Sequence, residues 1–424
     1  MMLHPLIGIN QWIALPRQVL GVLSGNSSLP IHELDKAKVQ KPRAHIRPFP
    51  DSSGNVSFSA WRIAHAIKKA DCARWPSSQV LWAGASGFLL ENAHLFDWGT
   101  NELSLKDGMA DFYADFSASG LAGRVAQGMA LLFLEEKGYS YVGRFETEWK
   151  RRAATQNKSW PTGKKKAPDF IAENEKNEWV LAESKGGFAS PDSKPNIKGA
   201  LKDGLTQLDG WDKHITPQPT KSFAIGTFLR ESGDTSDETS VITFVDPEPE
   251  APEDPVEFQA DAVRRANYAS WLSLMGFDDA ASRVRIGAGE PQRRSVPVIA
   301  LAGRKYAVSV SSVSPRQPDL SSREFWDDLQ DWPFGPFGWF RHGIRVELVG
   351  LDLDVLRILG SVQGSSKTSG LMELRPQERR DAPLDSDGGV FYGSVFSDGS
   401  LLGELRQTRT SRLIPEFDWI EVEL

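Results

Sequence analysis

The clearest hydrophobic periodicity in this chain begins at Gly120. Leu121, Val125, Met129, Leu132 and Phe133 recur at helical spacing and Gly138 supplies a terminator, so the pattern predicts a helix over 121–137. Residues 139–149 alternate as a strand does. Two β-prone runs, 167–172 and 179–185, are separated by the polar residues 173–178, which predicts a hairpin. A helix over 196–215 and a strand over 222–229 complete the order helix, three strands, helix, strand. This is a mixed α/β pattern.

Either side of this segment the pattern is weaker. Residues 59–69 have helical character, but the fold of the first hundred residues, which hold Trp12, Trp61, Trp75, Trp82 and Trp98, is not legible. Towards the C-terminus, 257–275 reads as a helix and 296–312 as one or two strands. Residues 388–405 read as a hairpin around Ser397-Asp398-Gly399, because Asp-Gly favours a tight turn. Residues 247–255 alternate proline with acids and carry almost nothing to bury, which predicts a solvated linker. The expected organisation is an N-terminal region (1–105), a central domain (106–246), a linker (247–256) and a strand-rich C-terminal domain (257–424) that recognises substrate or binds a partner.

Composition narrows the class. With 424 residues, 40% of them hydrophobic and 25% charged, wholesale disorder, collagen and coiled coil are excluded. A single cysteine, Cys72, cannot form an internal disulfide, and seven histidines with neither zinc-type spacing to cysteine nor an HExxH string give no zinc site. The apolar stretch 3–23 has no basic residue ahead of it and is broken by polar residues and Pro16. A cytoplasmic protein without a membrane span is therefore expected. Net charge is −7, but it is unevenly spread: 143–166 holds eight basic residues against two acids, and 231–257 holds ten acids and no lysine or arginine.

The candidate chemistry lies in the hairpin. If its turn centres on Lys176, paired positions sum to 352, which sets Ile171 opposite Leu181 and Asp169 opposite Glu183. Opposed residues of antiparallel strands have Cβ atoms about 4.5–5.5 Å apart on one face, and Lys185, two residues on, falls on the face of Glu183. Two carboxylates so placed repel unless a cation neutralises them, and oxygen ligands favour magnesium or manganese. Such an ion activates water and polarises a phosphoryl oxygen, while Lys185 offers a movable positive charge. The plainer alternative is an exposed Glu183–Lys185 ion pair with no chemistry.

Pro168-Asp169, thirteen intervening residues and Glu183-Ser184-Lys185 resemble the PD-(D/E)xK nuclease superfamily, over about a quarter of the chain. The resemblance implies a restriction-endonuclease-like αβββαβ core and a Mg2+- or Mn2+-dependent endonuclease. Its substrate would be DNA, or alternatively RNA, and its setting prokaryotic restriction or phage defence. It further implies that Asp169 and Glu183 bind the ion, that Ser184 lends its carbonyl and that Lys185 assists the water. Gln127 would stand in for the acid that many members carry on the first helix, and Gln207 would contact the scissile strand. A homodimer or a partner subunit is compatible with it. So is a degenerate subunit that binds nucleic acid or protein without cutting.

Lys158, Lys164, Lys165 and Lys166 precede Asp169, and Lys198 and Lys202 precede Gln207, so these six are candidate phosphate contacts. Trp160 is either a base-stacking platform or a packed anchor for its loop. A P-loop-like 360–368 and Ser86 in a Gly-rich turn lack the spacing that would assign them chemistry, and the aromatic run 332–340, rich in Gly and Pro, reads as a core-filling loop rather than a partner-binding knob.

Overall fold

The computed structural model describes residues 26–72, 95–310, 345–362, 370–406 and 417–424, apart from short gaps at 99, 113–114, 165, 192, 235–237, 288, 382 and 387–388. The apolar stretch 3–23, Ser86, the aromatic run 332–340 and most of 360–368 lie outside the described residues.

The fold is mixed α/β, as expected, and rests on two sheets. The first takes β1 (Asn26–Glu33), β2 (Asn55–Ser59), β3 (Tyr139–Arg144), β4 (Phe170–Asn174), β5 (Trp179–Ala189), β6 (Lys221–Arg230) and β7 (Val241–Val245) in the spatial order β2-β1-β7-β6-β5-β4-β3. β3, β4 and β5 form an antiparallel meander, and β5 runs parallel to β6. A parallel pair needs a crossover, and helix α4 (Ile197–Leu208) supplies it.

The outer strands come from far along the chain. β1 pairs in parallel with β7, Ile31 against Ile242, and β2 pairs antiparallel with β1. Residues 26–59 thus complete the sheet that the central segment builds. Helix α1 (Ala60–Cys72) then packs on α2 (Asp115–Glu136) so closely that a Cβ on Gly128 would lie 2.5 Å from Ile67 Cγ1.

Two sequence expectations need correction. The alternation over 139–149 stops at Arg144, and Phe145–Thr155 is helix α3. Phe145, Trp149 and Ala153 recur every fourth residue and are buried. Glu146 and Glu148 in the first turn and Arg152 in the last also suit the helix dipole. The second correction is that α4 ends at Leu208, seven residues short of 215. Its buried face is Ile197, Leu201, Leu205 and Leu208, and Gly210 leaves it with a left-handed φ of 64°. The expected terminator holds, as Gly138 follows α2 at φ 87°; the structure adds a cap for α4, whose Asn196 side chain accepts from the Gly199 N–H at 3.0 Å.

Residues 247–255 form no regular element and are tethered along their length. Lys213 pairs with Glu250 at 2.7 Å, Lys158 pairs with Asp254 at 2.6 Å, and Val256–Glu257 pairs in parallel with Ile215–Thr216. The acidic linker therefore lies against Lys158 of the basic stretch and against Lys213.

The C-terminal part is strand-rich, as expected. Its sheet comprises β8 (Arg293–Leu301), β9 (Arg304–Val310), β10 (Arg345–Asp352), β11 (Leu384–Ser386), β12 (Gly389–Val395), β13 (Ser400–Arg406) and β14 (Asp418–Glu423), with 380–381 pairing β12. The order is β9-β10-β13-β12-β11-β8-β14, and β8 also pairs with β9, which closes a circuit. Helix α5 (Ala262–Leu274) is wedged between the two sheets. Asn267 Oδ1 accepts from the Val142 N–H at 3.2 Å, and its Nδ2 donates to Asp398 at 2.7 Å.

Candidate functional site

The hairpin register is the one that the centred turn predicts: Phe170 opposes Ala182, Ile171 opposes Leu181 and Glu173 opposes Trp179. Asp169 stands one residue ahead of β4 in a bend, opposite Glu183, and its N–H donates to Glu183 Oε2 at 3.1 Å. Lys185 Nζ lies 2.5 Å from the other oxygen, Glu183 Oε1. Asp169, Glu183 and Lys185 are therefore brought to one corner of the sheet.

Side-chain placement departs from the expectation in one respect. Strand alternation puts the two carboxylates side by side, but Asp169 precedes the regular strand and is released from its alternation. Its Oδ2 accepts from the Ser184 N–H at 3.1 Å and from Ser184 Oγ at 2.7 Å. Ser184 is next to Glu183 and so projects from the opposite face. The Asp169 carboxylate thus lies on the α2 side, with Ser184 and Gln127, and the Glu183 carboxylate on the α4 side, instead of sharing a face.

Arg144 from β3 and Gln127 from α2 complete the corner. Arg144 Nη1 donates to Asp169 Oδ1 at 3.0 Å, Arg144 Nη2 donates to Gln127 Oε1 at 2.7 Å, and Gln127 Nε2 reaches Asp169 Oδ1 at 3.4 Å. The guanidinium lies 4.7 Å from the Phe170 ring centroid. Gln127, the residue expected to stand in for a first-helix acid, has its side chain on Arg144 and Asp169. Arg144 was not singled out, because in the sequence it is one basic residue among eight over 143–166. Its register opposite Phe170, beside Asp169, is visible only once β3 is paired.

Packing explains why these residues converge. A Cβ on Gly186 would come within 2.5 Å of Ala126 Cβ and 2.7 Å of the Ala122 carbonyl oxygen, so α2 rests directly on β5 next to Lys185. On the other face Gly204 of α4 sits over Glu183 and Lys185, where an added Cβ would lie 3.7 and 3.8 Å from their Cγ atoms. Gln207, one turn further along α4, makes no side-chain hydrogen bond to Asp169, Glu183 or Lys185.

The electrostatics of the corner are unequal. Glu183 is 3% exposed, and burial, with the Asp169 carboxylate as the second cause, pushes its carboxyl up to about 7 against the pull of Lys185. The side chains of Asp169 and Lys185 are 19% and 23% exposed, so the corner opens to solvent at their end. The repulsion between the carboxylates is met by Arg144 on one and by Lys185 on the other. The exposed-ion-pair alternative does not describe this site, because Glu183 is buried.

The donor set is oxygen-rich and suits magnesium or manganese, which keep several waters and take one or two carboxylates. Asp169 and Glu183 would hold such an ion if the Asp169 carboxylate turned from Ser184 towards the face of Glu183. Among the described residues no group of three or more His, Cys, Asp or Glu side chains gathers into a larger metal cluster.

The candidate phosphate contacts divide. Lys158 is engaged by Asp254 and by the Pro255 carbonyl at 2.7 Å, and Lys164 by the Asp209 carbonyl. Lys198 donates to the Ala44 and Lys41 carbonyls, tying α4 to the N-terminal segment. Lys166 and Lys202 are exposed, and Lys165 lies outside the described residues. Trp160 is the packed anchor. Its ring meets Trp211 at 4.8 Å and Trp149 at 5.4 Å edge-on, and its Nε1 donates to the Lys164 carbonyl at 2.7 Å. No helix among the described residues is long and apolar enough to cross a membrane.

No protein-family model matches this chain, and no curated protein or solved structure matches it significantly.

Proposed function

We propose that this chain is a metal-dependent nuclease that hydrolyses phosphodiester bonds, with DNA as the favoured substrate and a role in restriction or phage defence. One observation carries the reading. The β4–β5 register joins Asp169, Glu183 and Lys185 through the Asp169 N–H to Glu183 contact at 3.1 Å and the Lys185 to Glu183 contact at 2.5 Å. Helix α2, the meander β3-β4-β5, crossover α4 and strand β6 follow the αβββαβ order of the restriction-endonuclease-like fold, with α3 inserted after the first strand.

In this reading Asp169 and Glu183 would supply carboxylate oxygens to Mg2+ or Mn2+, and the ion would offset the burial that pushes the Glu183 carboxyl up. The bound ion would polarise a phosphoryl oxygen and acidify a water. Lys185 sits within reach of the same point and stabilises the charge that develops on the phosphate. Gln127 holds Arg144, and the exposed Lys166 and Lys202 provide sequence-independent attraction for the backbone.

A second reading rests on Arg144. Its guanidinium already neutralises Asp169, as a degenerate subunit that binds nucleic acid or protein would require. A cleavage assay on linear, supercoiled and single-stranded DNA and on RNA, in Mg2+ or Mn2+, separates the two. Metal-dependent cutting that disappears in Asp169→Ala supports the nuclease and names its substrate. Nucleic-acid binding without cutting supports the second reading.

A further inference from the structure

Asp169 has no oxygen to spare. Oδ1 receives Arg144 Nη1 at 3.0 Å and Gln127 Nε2 at 3.4 Å, and Oδ2 receives the Ser184 N–H at 3.1 Å and Ser184 Oγ at 2.7 Å. A carboxylate offers about four lone-pair sites, so an incoming cation must displace a donor. The Ser184 amide is fixed in the sheet, and Gln127 and the Ser184 hydroxyl are neutral and adjustable. Arg144 is the one charged donor. It is 6% exposed, held at its far side by Gln127 Oε1 at 2.7 Å and laid over Phe170 at 4.7 Å.

We propose that Arg144 is a positioning residue that acts as the resident counter-ion of Asp169 and competes with the divalent metal for Oδ1. This rests on the metal-site reading above and goes beyond it, because it assigns Arg144 control over when the site loads. In the metal-free protein Arg144 turns Asp169 towards Ser184 and away from the face of Glu183. Loading requires that this ion pair open and that the carboxylate swing towards Glu183. A divalent cation and a guanidinium a few ångströms apart repel by more than a factor of ten in an equilibrium constant. Affinity is therefore held down while Arg144 is in place. A substrate phosphate, which the freed guanidinium can bind bidentately, relieves the competition. Metal and substrate then load together.

The test is calorimetric titration of the full chain with Mn2+ alone, for wild type, Arg144→Gln, Arg144→Lys and Asp169→Asn. The expected result is weak binding by wild type and binding tighter by about tenfold or more in Arg144→Gln. Arg144→Lys, which keeps the charge, should stay within about threefold of wild type, and Asp169→Asn should lose binding. Arg144→Met, which keeps an apolar stem over Phe170, replaces Arg144→Gln if circular dichroism shows that the latter is unfolded. A residue that only supported the fold would not raise metal affinity when removed. Equal affinity in wild type and Arg144→Gln, both lost in Asp169→Asn, overturns the role of Arg144 and leaves the metal site standing. An increase in Arg144→Lys as large as in Arg144→Gln refutes the competition by charge. Absence of Mn2+ binding in wild type and Arg144→Gln alike overturns both readings.

Discussion

Replacing Glu183 by glutamine should change how stability depends on pH. In the folded chain the Glu183 carboxyl is pushed up to about 7 from an ordinary value of 4.5, mainly by burial. Between those values the folded chain keeps a proton that the unfolded chain has released. The folded state binds more protons, so stability falls as pH rises through this window, and the full cost is felt above pH 7. The gap corresponds to about 3 kcal/mol. Glutamine cannot ionise, and whatever it changes in the contacts with the Asp169 N–H and Lys185 is a constant offset. The buried Glu173, also pushed up to about 7, titrates in both proteins and cancels in the difference. Urea denaturation of both at intervals between pH 4.5 and 8 should show Glu183→Gln gaining about 3 kcal/mol on wild type across the window. Saturating Mg2+ should remove most of that gain, because it stabilises the ionised carboxylate in wild type alone. A difference that stays flat with pH would mean that Glu183 ionises normally and is not the desolvated group described here.

Two further substitutions test the frame around the site. Gly186→Ala puts a methyl group 2.5 Å from Ala126 and 2.7 Å from the Ala122 carbonyl, so α2 must move off β5. The expected cost is about 1–3 kcal/mol in chemical denaturation, with loss of the Gln127–Arg144–Asp169 contacts. Arg264→Met breaks a fully buried pair with Glu173, 2.6 Å apart, and leaves that carboxylate without its cation. A loss of about 3–5 kcal/mol is expected, and a thermal midpoint within a degree or so of wild type would contradict it.

The sequence made the centre of the molecule readable and left its edges obscure, and the difference is contact distance. The β4–β5 hairpin is local: its turn residue Asn177 adopts a left-handed φ of 63°, and one symmetric register satisfies every pair. From that register the proximity of Asp169, Glu183 and Lys185 followed by counting. α4 was recognisable, though its end was overrun because the apolar residues Trp211 and Ile215 lie beyond it, flanking a 3-10 turn at Asp212–His214. The strand β1 pairs with residues about two hundred positions downstream, and nothing in 26–33 records that partner. Arg144 was hidden for the same reason. Its role depends on β3 lying beside β4, across a bulge between Tyr139 and Tyr141 that hairpin counting does not foresee. The helix α3 was missed because residues 139–149 fit a period of two, and only the buried Phe145, Trp149 and Ala153 reveal a period near four.

In the proposed nuclease Asp169, Glu183 and Lys185 act together as a metal-dependent hydrolytic site. Its most direct test is single-turnover cleavage of a supercoiled plasmid in Mn2+ by wild type, Asp169→Ala, Lys185→Ala and the exposed control Lys202→Ala. Asp169→Ala and Lys185→Ala should each lose a factor of ~10²–10³ or more in rate. Lys202→Ala should change only apparent affinity and its salt dependence. Cleavage by Asp169→Ala and Lys185→Ala at the wild-type rate would contradict that assignment.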